Sequence, residues 1–226
     1  MSQLLVKKKI SGAPGMATFI WGPVFWNIMT DIAIQTDRHW NKMSLTDKKI
    51  CIQFWALLRD MLPCKWCRKS YRKFFREDPP TYPLKKWFWN LKNKVNTKLE
   101  KPHLEFEKFE RRIHVYSSFS CTDTWWDMHF ILALNYDQEK KRDVYKKWFE
   151  MMETLVKFIP HYNIQIKSPP NTIFTSKFTL IRWLSEERGI DTEFAIRKYA
   201  QAIAHNTVEE LLQICGPLIL KCRQVK

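Results

Sequence analysis

Residues 62–75 read LPCKWCRKSYRKFF, a stretch in which a proline precedes two cysteines separated by two residues. Proline favours the first turn of a helix, so Cys64 and Cys67 fall at a predicted helix start. Thioredoxin folds share this cysteine spacing, but they need a β-strand before the pair and βαβ units around it. Here the hydrophobic pattern is helical on both sides. The stretch therefore predicts a helical fold.

Apolar residues recur at helical spacing nearly throughout the chain. The first half predicts four helices with short connections, which begin near Trp21, Thr46, Cys64 and Leu84. Four helices joined in this way form a four-helix bundle. The second half predicts helices over about 122–136, 139–158, 175–187 and 192–203, and a last one from Thr207. Strand-like alternation is weak and only five glycines occur, so the predicted fold class is all-α.

The two halves of the chain resemble each other. The stretch WGPVFWNIMTDIAI at 21–34 can be set against CTDTWWDMHFILAL at 121–134 by its aromatic and aliphatic spacing. LPCKWC then falls on IPHYNI at 159–164, where both cysteines are missing. The sequence therefore predicts an internal repeat, with a basic segment at 1–18, a bundle domain at 19–103 and a degenerate helical domain at 104–226.

The net charge is +15 over 226 residues, which allows binding to nucleic acid or to another anionic surface. The basic residues are spread along the chain and mixed with 23 acids, so a solvated basic surface is the favoured interpretation. The absence of a GxGxxG turn excludes a Rossmann dinucleotide site. No apolar run approaches the ~20 residues of a membrane span. The N-terminal lysines precede no apolar block, so we expect no secretory signal and a cytoplasmic location.

Three kinds of site use a short-spaced cysteine pair. A zinc site needs four ligands, but the other four cysteines and the six histidines are scattered, and we expect no metal. An inert structural disulfide remains an alternative. A redox pair fits best, because the free amides and the dipole of a helix N-terminus stabilise a thiolate. Lys65, Arg68 and Lys69 add positive potential, and a two-residue spacer lets the second cysteine close the disulfide.

Oxidation of thiols needs an electron acceptor, which a flavin or a partner can supply. The helix LKKWFWNLKNKVNTKLEKP at 84–102 offers candidate contacts to such a group. Trp87 is a candidate to stack on a ring, Asn93 and Asn96 to hydrogen-bond a ring edge, and Lys98 and Lys101 to meet phosphate. The alternative is that Trp87 belongs to the core and that both asparagines are solvated.

Three motifs in order, WGPVFW (21–26), LPCKWC (62–67) and WFWNLKNKVNTKLEKP (87–102), together resemble the Erv-type FAD-linked sulfhydryl oxidases. The resemblance covers about 19–102 and implies a small helical bundle that oxidises protein thiols to disulfides. It implies FAD as cofactor and O2 as electron acceptor, with release of hydrogen peroxide. It assigns Cys67 to the flavin side and Cys64 to exchange with the incoming thiol. The further positions that it assigns to FAD are Trp21, Gly22, Trp26, Trp87, Asn93, Val95, Asn96, Leu99 and Lys101.

The sequence departs from this family at several positions. Thr30, Ser70 and Lys92 stand where the family usually has histidines beside FAD, so the usual hydrogen bonds to the cofactor change. Lys92 becomes a candidate contact to phosphate. Cellular members carry a shuttle CxxC outside the bundle, which this chain lacks. Cys215 and Cys222 are the candidate shuttle cysteines, with ordinary semi-buried thiols as the alternative.

The second half resembles a degenerate copy of the same bundle, with His129 where the first half has Thr30. Without CxxC and NxVN we expect it to be inactive. It would cover the working bundle, recruit substrates, or replace a dimer partner, giving either a homodimer or an intramolecular pseudo-dimer. The shuttle-less form resembles versions from large DNA viruses, which implies a viral protein in the host cytoplasm that is a candidate for packaging in the virion. Two other functions stay open: a helical interaction protein that has lost flavin, and a basic nucleic-acid-binding protein.

Overall fold

The computed structural model describes residues 18–116, 121–159 and 169–200. This part of the chain is all-α, as the sequence predicts, and contains no strand. Short 3-10 turns occupy Trp40–Lys42 and Asn171–Thr175. The predicted helix from Thr207 lies outside the described residues. The α-helices are α1 Thr18–His39, α2 Leu45–Met61, α3 Lys65–Glu77, α4 Leu84–Lys98, α5 Phe106–Tyr116, α6 Cys121–Leu134, α7 Gln138–Val156, α8 Lys177–Arg188 and α9 Thr192–Ala200.

Helix α5 is absent from the sequence prediction. Its sequence, FEKFERRIHVY, does place Phe106, Phe109 and Ile113 at helical spacing, so the sequence carried the signal and the prediction missed it. Tertiary contacts also hold this helix. Phe109 is buried, and its ring lies 6.4 Å from that of Phe88. The carboxylate of Glu110 forms an ion pair with the ammonium of Lys85 at 2.5 Å. Helix α5 therefore depends on α4 for its stability.

The start of α4 is capped by a residue of α1. Pro83 occupies the N-cap and makes no side-chain cap hydrogen bond. The carboxylate of Asp37 instead accepts the backbone N–H groups of Leu84 at 2.8 Å and Lys85 at 2.9 Å. This satisfies two of the amides that a helix N-terminus leaves unpaired, and it fixes α4 against the end of α1.

One aromatic core joins the two halves of the chain. In the first half α1 packs on α4 and α2 on α3, while across the halves α1 packs on α6 and α2 on α7. Trp55 of α2 is fully buried with its ring 5.1 Å from both Trp87 and Phe88 of α4. On the other side, Phe54 lies 5.2 Å from the ring of Trp148 in α7. Helices α2 and α7, which the predicted repeat pairs with each other, thus meet through buried aromatic rings.

Hydrogen bonds and ion pairs of charged residues connect helices α6, α8 and α9 of the second half. Arg188 of α8 donates to Asp123 of α6 at 2.7 Å and to the hydroxyl of Tyr199 in α9 at 3.0 Å. Tyr199 in turn donates to Asp127 of α6. Helix α8 itself begins with a capping box between Ser176 and Thr179 and ends at a left-handed Gly189. These caps and ion pairs hold α6, α8 and α9 as one unit.

Candidate active site

The two cysteines of LPCKWC lie at the N-terminus of α3. Cys64 is the N-cap residue and its Sγ accepts the backbone N–H of Cys67 at 3.3 Å. Cys64 is buried, Cys67 is half-buried, and the two are not joined in a disulfide. Hydrogen bonds from the Cys67 thiol and from backbone N–H groups, with the nearby Arg68 charge, lower the pKa of Cys64 to about 7 in spite of its burial. A large share of Cys64 is therefore thiolate at neutral pH.

Arg68 holds the segment that precedes the pair. Its Nη1 donates to the carbonyl oxygens of Leu62 at 2.5 Å and Pro63 at 3.2 Å. Burial lowers the pKa of the guanidinium, while the nearby Cys64 acts in the opposite direction. Arg68 thus both fixes the backbone before Cys64 and supplies positive charge to the thiolate.

Helix α3 is anchored on α2 by contacts along its length. The hydroxyl of Tyr71 donates to the buried carbonyl of Trp55 at 2.7 Å. Arg72 forms an ion pair with Asp60, and Arg59 lies 5.1 Å from the ring centre of Phe75. Because the helix is fixed at both its buried and its exposed face, the position of the cysteine pair is fixed as well.

Helices α1 and α4 place a ring beside an ammonium group, and α4 also meets α3 one turn beyond Cys67. The ammonium of Lys92 in α4 lies 4.7 Å from the ring centre of Trp26 in α1. Lys98 of α4 donates to the hydroxyl of Ser70 in α3 at 2.5 Å, one turn beyond Cys67. A half-buried indole, two ammonium groups and a half-buried thiol suit a cofactor made of planar rings and phosphates. By this test the side chains fit FAD.

The three positions that depart from the family pattern behave differently in the structure. Thr30 is buried and its hydroxyl donates to the carbonyl of Trp26 at 2.6 Å. Ser70 is also buried, and its hydroxyl donates to the carbonyl of Trp66 at 3.0 Å. Both hydroxyls are therefore used within their own helices. The ammonium of Lys92 lies over the ring of Trp26, and its contact with a phosphate stays a prediction.

The two asparagines of KNKVN organise the segment that follows α4. The amide of Asn93 donates to the carbonyl of Leu104 at 3.0 Å and accepts its N–H at 2.8 Å. Asn96 donates to the carbonyl of Pro102 at 3.2 Å. This positioning role was not predicted from the sequence, although the spacing of three residues puts both amides on one helix face. A groove of about 530 Å³ lies beside them, lined in part by Trp89, Asn93, Thr97 and His103.

The remaining residues assigned to FAD are spread from the core to the surface. Trp87 is buried and its indole N–H donates to the carbonyl of Asp78 at 2.9 Å, so its ring belongs to the core. Beside it, the buried N–H of Trp55 has no hydrogen-bond acceptor among the described residues. Contact of the following residues with FAD stays a prediction: Trp21 and Gly22, both buried, Val95 and Leu99, both half-buried, and Lys101, which is exposed.

The second half offers no comparable set of groups in its described part. His129 of α6 is fully buried, with Nδ1 2.9 Å from the carbonyl oxygen of Trp125 and Nε2 accepting the indole N–H of Trp148 at 3.3 Å. Burial lowers its pKa to about 4, so the ring is neutral. The candidate shuttle cysteines, Cys215 and Cys222, lie outside the described residues.

Two negative findings apply to the described ranges. Within 18–116, 121–159 and 169–200, no group of three or more His, Cys, Asp or Glu side chains is arranged to hold a metal ion. None of the helices in these ranges combines the length and the apolar character that crossing a membrane requires.

Comparison with known proteins adds an independent finding. Residues 24–114 match the model of the Erv1 / Alr family, a range that contains the cysteine pair and runs into α5. An alignment of 64 residues is 36% identical to the mitochondrial FAD-linked sulfhydryl oxidase ERV1 of Saccharomyces cerevisiae. It covers 26% of this chain and 34% of that protein, so the chain matches about a third of the relative's length. No solved structure matches the chain. The segment that carries the cysteine pair is therefore similar to the Erv1 / Alr family.

Proposed function

We propose that this protein is an FAD-linked thiol oxidase that makes disulfides in substrate proteins through Cys64 and Cys67, with O2 as the electron acceptor. The observation that carries the proposal is the stabilised Cys64 thiolate at the start of α3, with Cys67 one turn from the Ser70–Lys98 contact. The match of this segment to the Erv1 / Alr family supports it.

The cysteines perform the exchange with the substrate. With the pair oxidised, a substrate thiolate attacks Sγ of Cys64, which forms a mixed disulfide and releases Cys67 as a thiolate. A second substrate thiolate then attacks the substrate sulfur, so that the substrate disulfide forms and Cys64 leaves. The lowered pKa of Cys64 makes it the better leaving group in this second step. The substrate is oxidised by two electrons and the pair returns to the dithiol.

The bundle supplies the groups that would hold the cofactor. When bound, FAD would accept the two electrons of the dithiol and pass them to O2, which gives hydrogen peroxide. Trp26 offers a half-buried ring, and Lys92 and Lys98 offer ammonium groups for the phosphates. The buried face of α3 excludes water from Cys64, which is 6% exposed.

The second half has a structural role in this proposal. Helix α6 packs on α1 and α7 packs on α2, so these two first-half helices each meet the helix that the predicted repeat pairs with them. Such packing lets one chain replace the partner of a two-subunit bundle and form an intramolecular pseudo-dimer. A viral protein that acts on virion proteins in the host cytoplasm is the biological setting we propose, from the shuttle-less form of the sequence.

The visible spectrum of the purified full-length chain tests the function. We expect the absorbance bands of an oxidised flavin, which bleach on addition of dithiothreitol and return on exposure to air. Oxygen consumption with dithiothreitol should accompany the bleaching, with hydrogen peroxide as the product. A colourless protein that also fails to bind added FAD would refute the proposal.

A second candidate is a helical interaction protein without flavin. It is favoured by Thr30 and Ser70, whose hydroxyls are used within their helices and so leave fewer donors for a cofactor. The same spectrum separates the two functions, because an interaction protein would fold and remain colourless.

A further inference from the structure

Helix α3, which begins directly after Cys64, carries a stripe of exposed positive charge. Its 13 residues, KWCRKSYRKFFRE, contain six cations and a single acid. Five of the cations are exposed, namely Lys65, Lys69, Arg72, Lys73 and Arg76. With about 3.6 residues per turn, these five positions fall within an arc of about 100° around the helix axis. We call this face the basic stripe.

The basic stripe leads to the cysteine pair without belonging to the candidate cofactor face. It spans roughly three turns, or about 17 Å, which an extended peptide covers with about five residues. Lys65, at its N-terminal end, is the neighbour of Cys64 in the chain. Cys67 lies on the opposite face of α3, and the buried Ser70 contacts Lys98 of α4. A partner that lies along the stripe therefore ends beside the cysteine pair and leaves the face towards α4 uncovered.

The acids around the basic stripe do not neutralise it. Asp60 of α2 forms its ion pair with Arg72, and Asp78 at the C-cap of α3 forms one with Lys94 of α4 at 3.1 Å. The exposed Arg59 of α2 lies over a ring of α3 and adds a further cation. The surface of α3 therefore keeps an excess of positive charge.

Helix α4 shows that lysines in this fold can instead serve the packing of helices. It contains five lysines and no acid, yet four of the five are half-buried and contact side chains of other elements. These four are Lys85, Lys92, Lys94 and Lys98. The exposed cations of α3 lie at the surface, so the packing of the helices does not account for their number.

The basic stripe also weakens its own helix. Lys65 and Lys69, Lys69 and Lys73, and Arg72 and Arg76 are each four residues apart, and like charges at this spacing repel each other on a helix. An anionic partner that lies along the stripe would relieve this repulsion.

The aromatic residues of α3 indicate which kind of anion fits. Tyr71 is buried, and Trp66, Phe74 and Phe75 are half-buried, so α3 exposes no ring. Single-stranded nucleic acids bind to basic surfaces that also offer exposed rings on which the bases stack. The carboxylates of an acidic protein segment need only the cations, and they fit the basic stripe better.

We propose that the basic stripe of α3 docks an acidic segment of the substrate protein and so brings a thiol next to that segment to the cysteine pair. The proposal rests on the proposed oxidase function, and it adds the substrate class, which is thiols beside acidic segments. Opposite charges on the two partners also speed their encounter.

Binding of peptides without cysteine tests the docking independently of any oxidase activity. The probes are labelled peptides of equal length with the central sequence Asp-Ser-Asp-Ser-Asp, Asn-Ser-Asn-Ser-Asn or Lys-Ser-Lys-Ser-Lys, titrated into the full-length protein. We expect the acidic peptide to bind at least about tenfold more tightly than the neutral one, since three exposed charge pairs each contribute modestly. This preference should shrink at high ionic strength.

Double variants assign the preference to the basic stripe. Lys73→Gln/Arg76→Gln should reduce it to less than about threefold, and Lys73→Glu/Arg76→Glu should favour the lysine peptide. The exchange Lys73→Arg/Arg76→Lys should keep it. Lys108→Gln/Arg111→Gln is the matched control, because it removes an exposed lysine and arginine at the same spacing from α5, which packs on α4. The control should keep the preference, and thermal unfolding of each variant checks that the fold is intact.

Four outcomes overturn the proposal: no binding of the acidic peptide, equal binding of the acidic and neutral peptides, an unchanged preference in Lys73→Gln/Arg76→Gln, or an equal loss in the control. An oligonucleotide that binds more tightly than the acidic peptide, and that loses affinity in Lys73→Gln/Arg76→Gln, would instead assign the stripe to nucleic acid. Oxidation of dithiothreitol, which has no carboxylate, decides the oxidase function separately.

Discussion

Thr30 in α1 and His129 in α6 occupy matching positions in the two halves, each four residues after a tryptophan. Both bond back to that tryptophan's carbonyl, Thr30 at 2.6 Å and His129 at 2.9 Å. Their surroundings differ. Beside Thr30, the ring of Trp26 is half-buried and faces Lys92, whereas His129 is enclosed by Trp125, Trp148 and Phe149.

This difference shows that a helix motif does not by itself define a cofactor face. The cavity next to His129 is about 10 Å³, close to the space of one water molecule and far too small for a flavin. The second half keeps the family-like histidine but packs aromatic rings over it. The first half has Thr30 at this position, and beside it the ring of Trp26 is half-buried and meets the ammonium of Lys92. The side chains that pack over this position of the helix decide whether space for a cofactor remains beside it.

The strongest contrast between the halves concerns the cysteines. We expect Cys64→Ala and Cys67→Ala each to reduce oxygen consumption with dithiothreitol to background, because neither single thiol can complete the exchange. Cys51→Ala is the control, since this buried thiol has its pKa raised to about 12 by burial and takes no part in the exchange. Retained turnover in either of the first two variants would reject the assigned pair.

The packing between the two halves of the chain can be disrupted by a substitution at Trp148. Its fully buried ring packs against Phe54 across the two halves, so Trp148→Ala should lower the free energy of unfolding by about 3–5 kcal/mol. Chemical denaturation measures this change. Phe178→Ala, at a residue that is 55% exposed, should change stability by less than about 0.5 kcal/mol. Comparable effects of the two changes would show that the halves do not share a core.

The enclosure of His129 predicts a dependence of stability on pH. Its pKa is about 4 in the folded protein and about 6.5 when unfolded, so the unfolded chain takes up the proton first. The stability that the neutral, buried imidazole contributes is fully present above the pKa of the unfolded chain, and it is lost as the pH falls towards 4. We expect a loss of up to about 3 kcal/mol over this window, and a smaller loss in His129→Gln. Unfolding free energies at pH 7 and near pH 4.5 measure it, and identical pH profiles of the two proteins would contradict it.

A smaller effect is expected from the charge next to the thiolate. Alkylation of Cys64 by iodoacetamide, followed by mass spectrometry, should rise with pH around a midpoint of about 7. Arg68→Met should move this midpoint upward by less than about one pH unit, because the hydrogen bonds to the sulfur dominate. Lys73→Met, an exposed change on the same helix, should leave the midpoint in place. A downward shift in Arg68→Met would show that its charge does not stabilise the thiolate.

The helix start at Cys64 could be predicted because its causes are local. A proline before the pair and helical periodicity after it are visible within fifteen residues, and the structure places Cys64 as the N-cap of α3. Helix α5 was missed although Phe106, Phe109 and Ile113 recur at helical spacing, and the structure adds contacts of Phe109 and Glu110 with α4. The roles of Asn93 and Asn96 were also hidden, because their partners are backbone groups beyond the end of the helix.

The sequence by itself determined the helical class, the place of the cysteine pair at a helix start and the excess of positive charge. These properties depend on side-chain type and on spacing within a few residues. Only the tertiary structure decided that Asp37 caps α4 and that Phe54 meets Trp148. Such contacts join residues far apart in the chain, and packing of the whole helical core selects them.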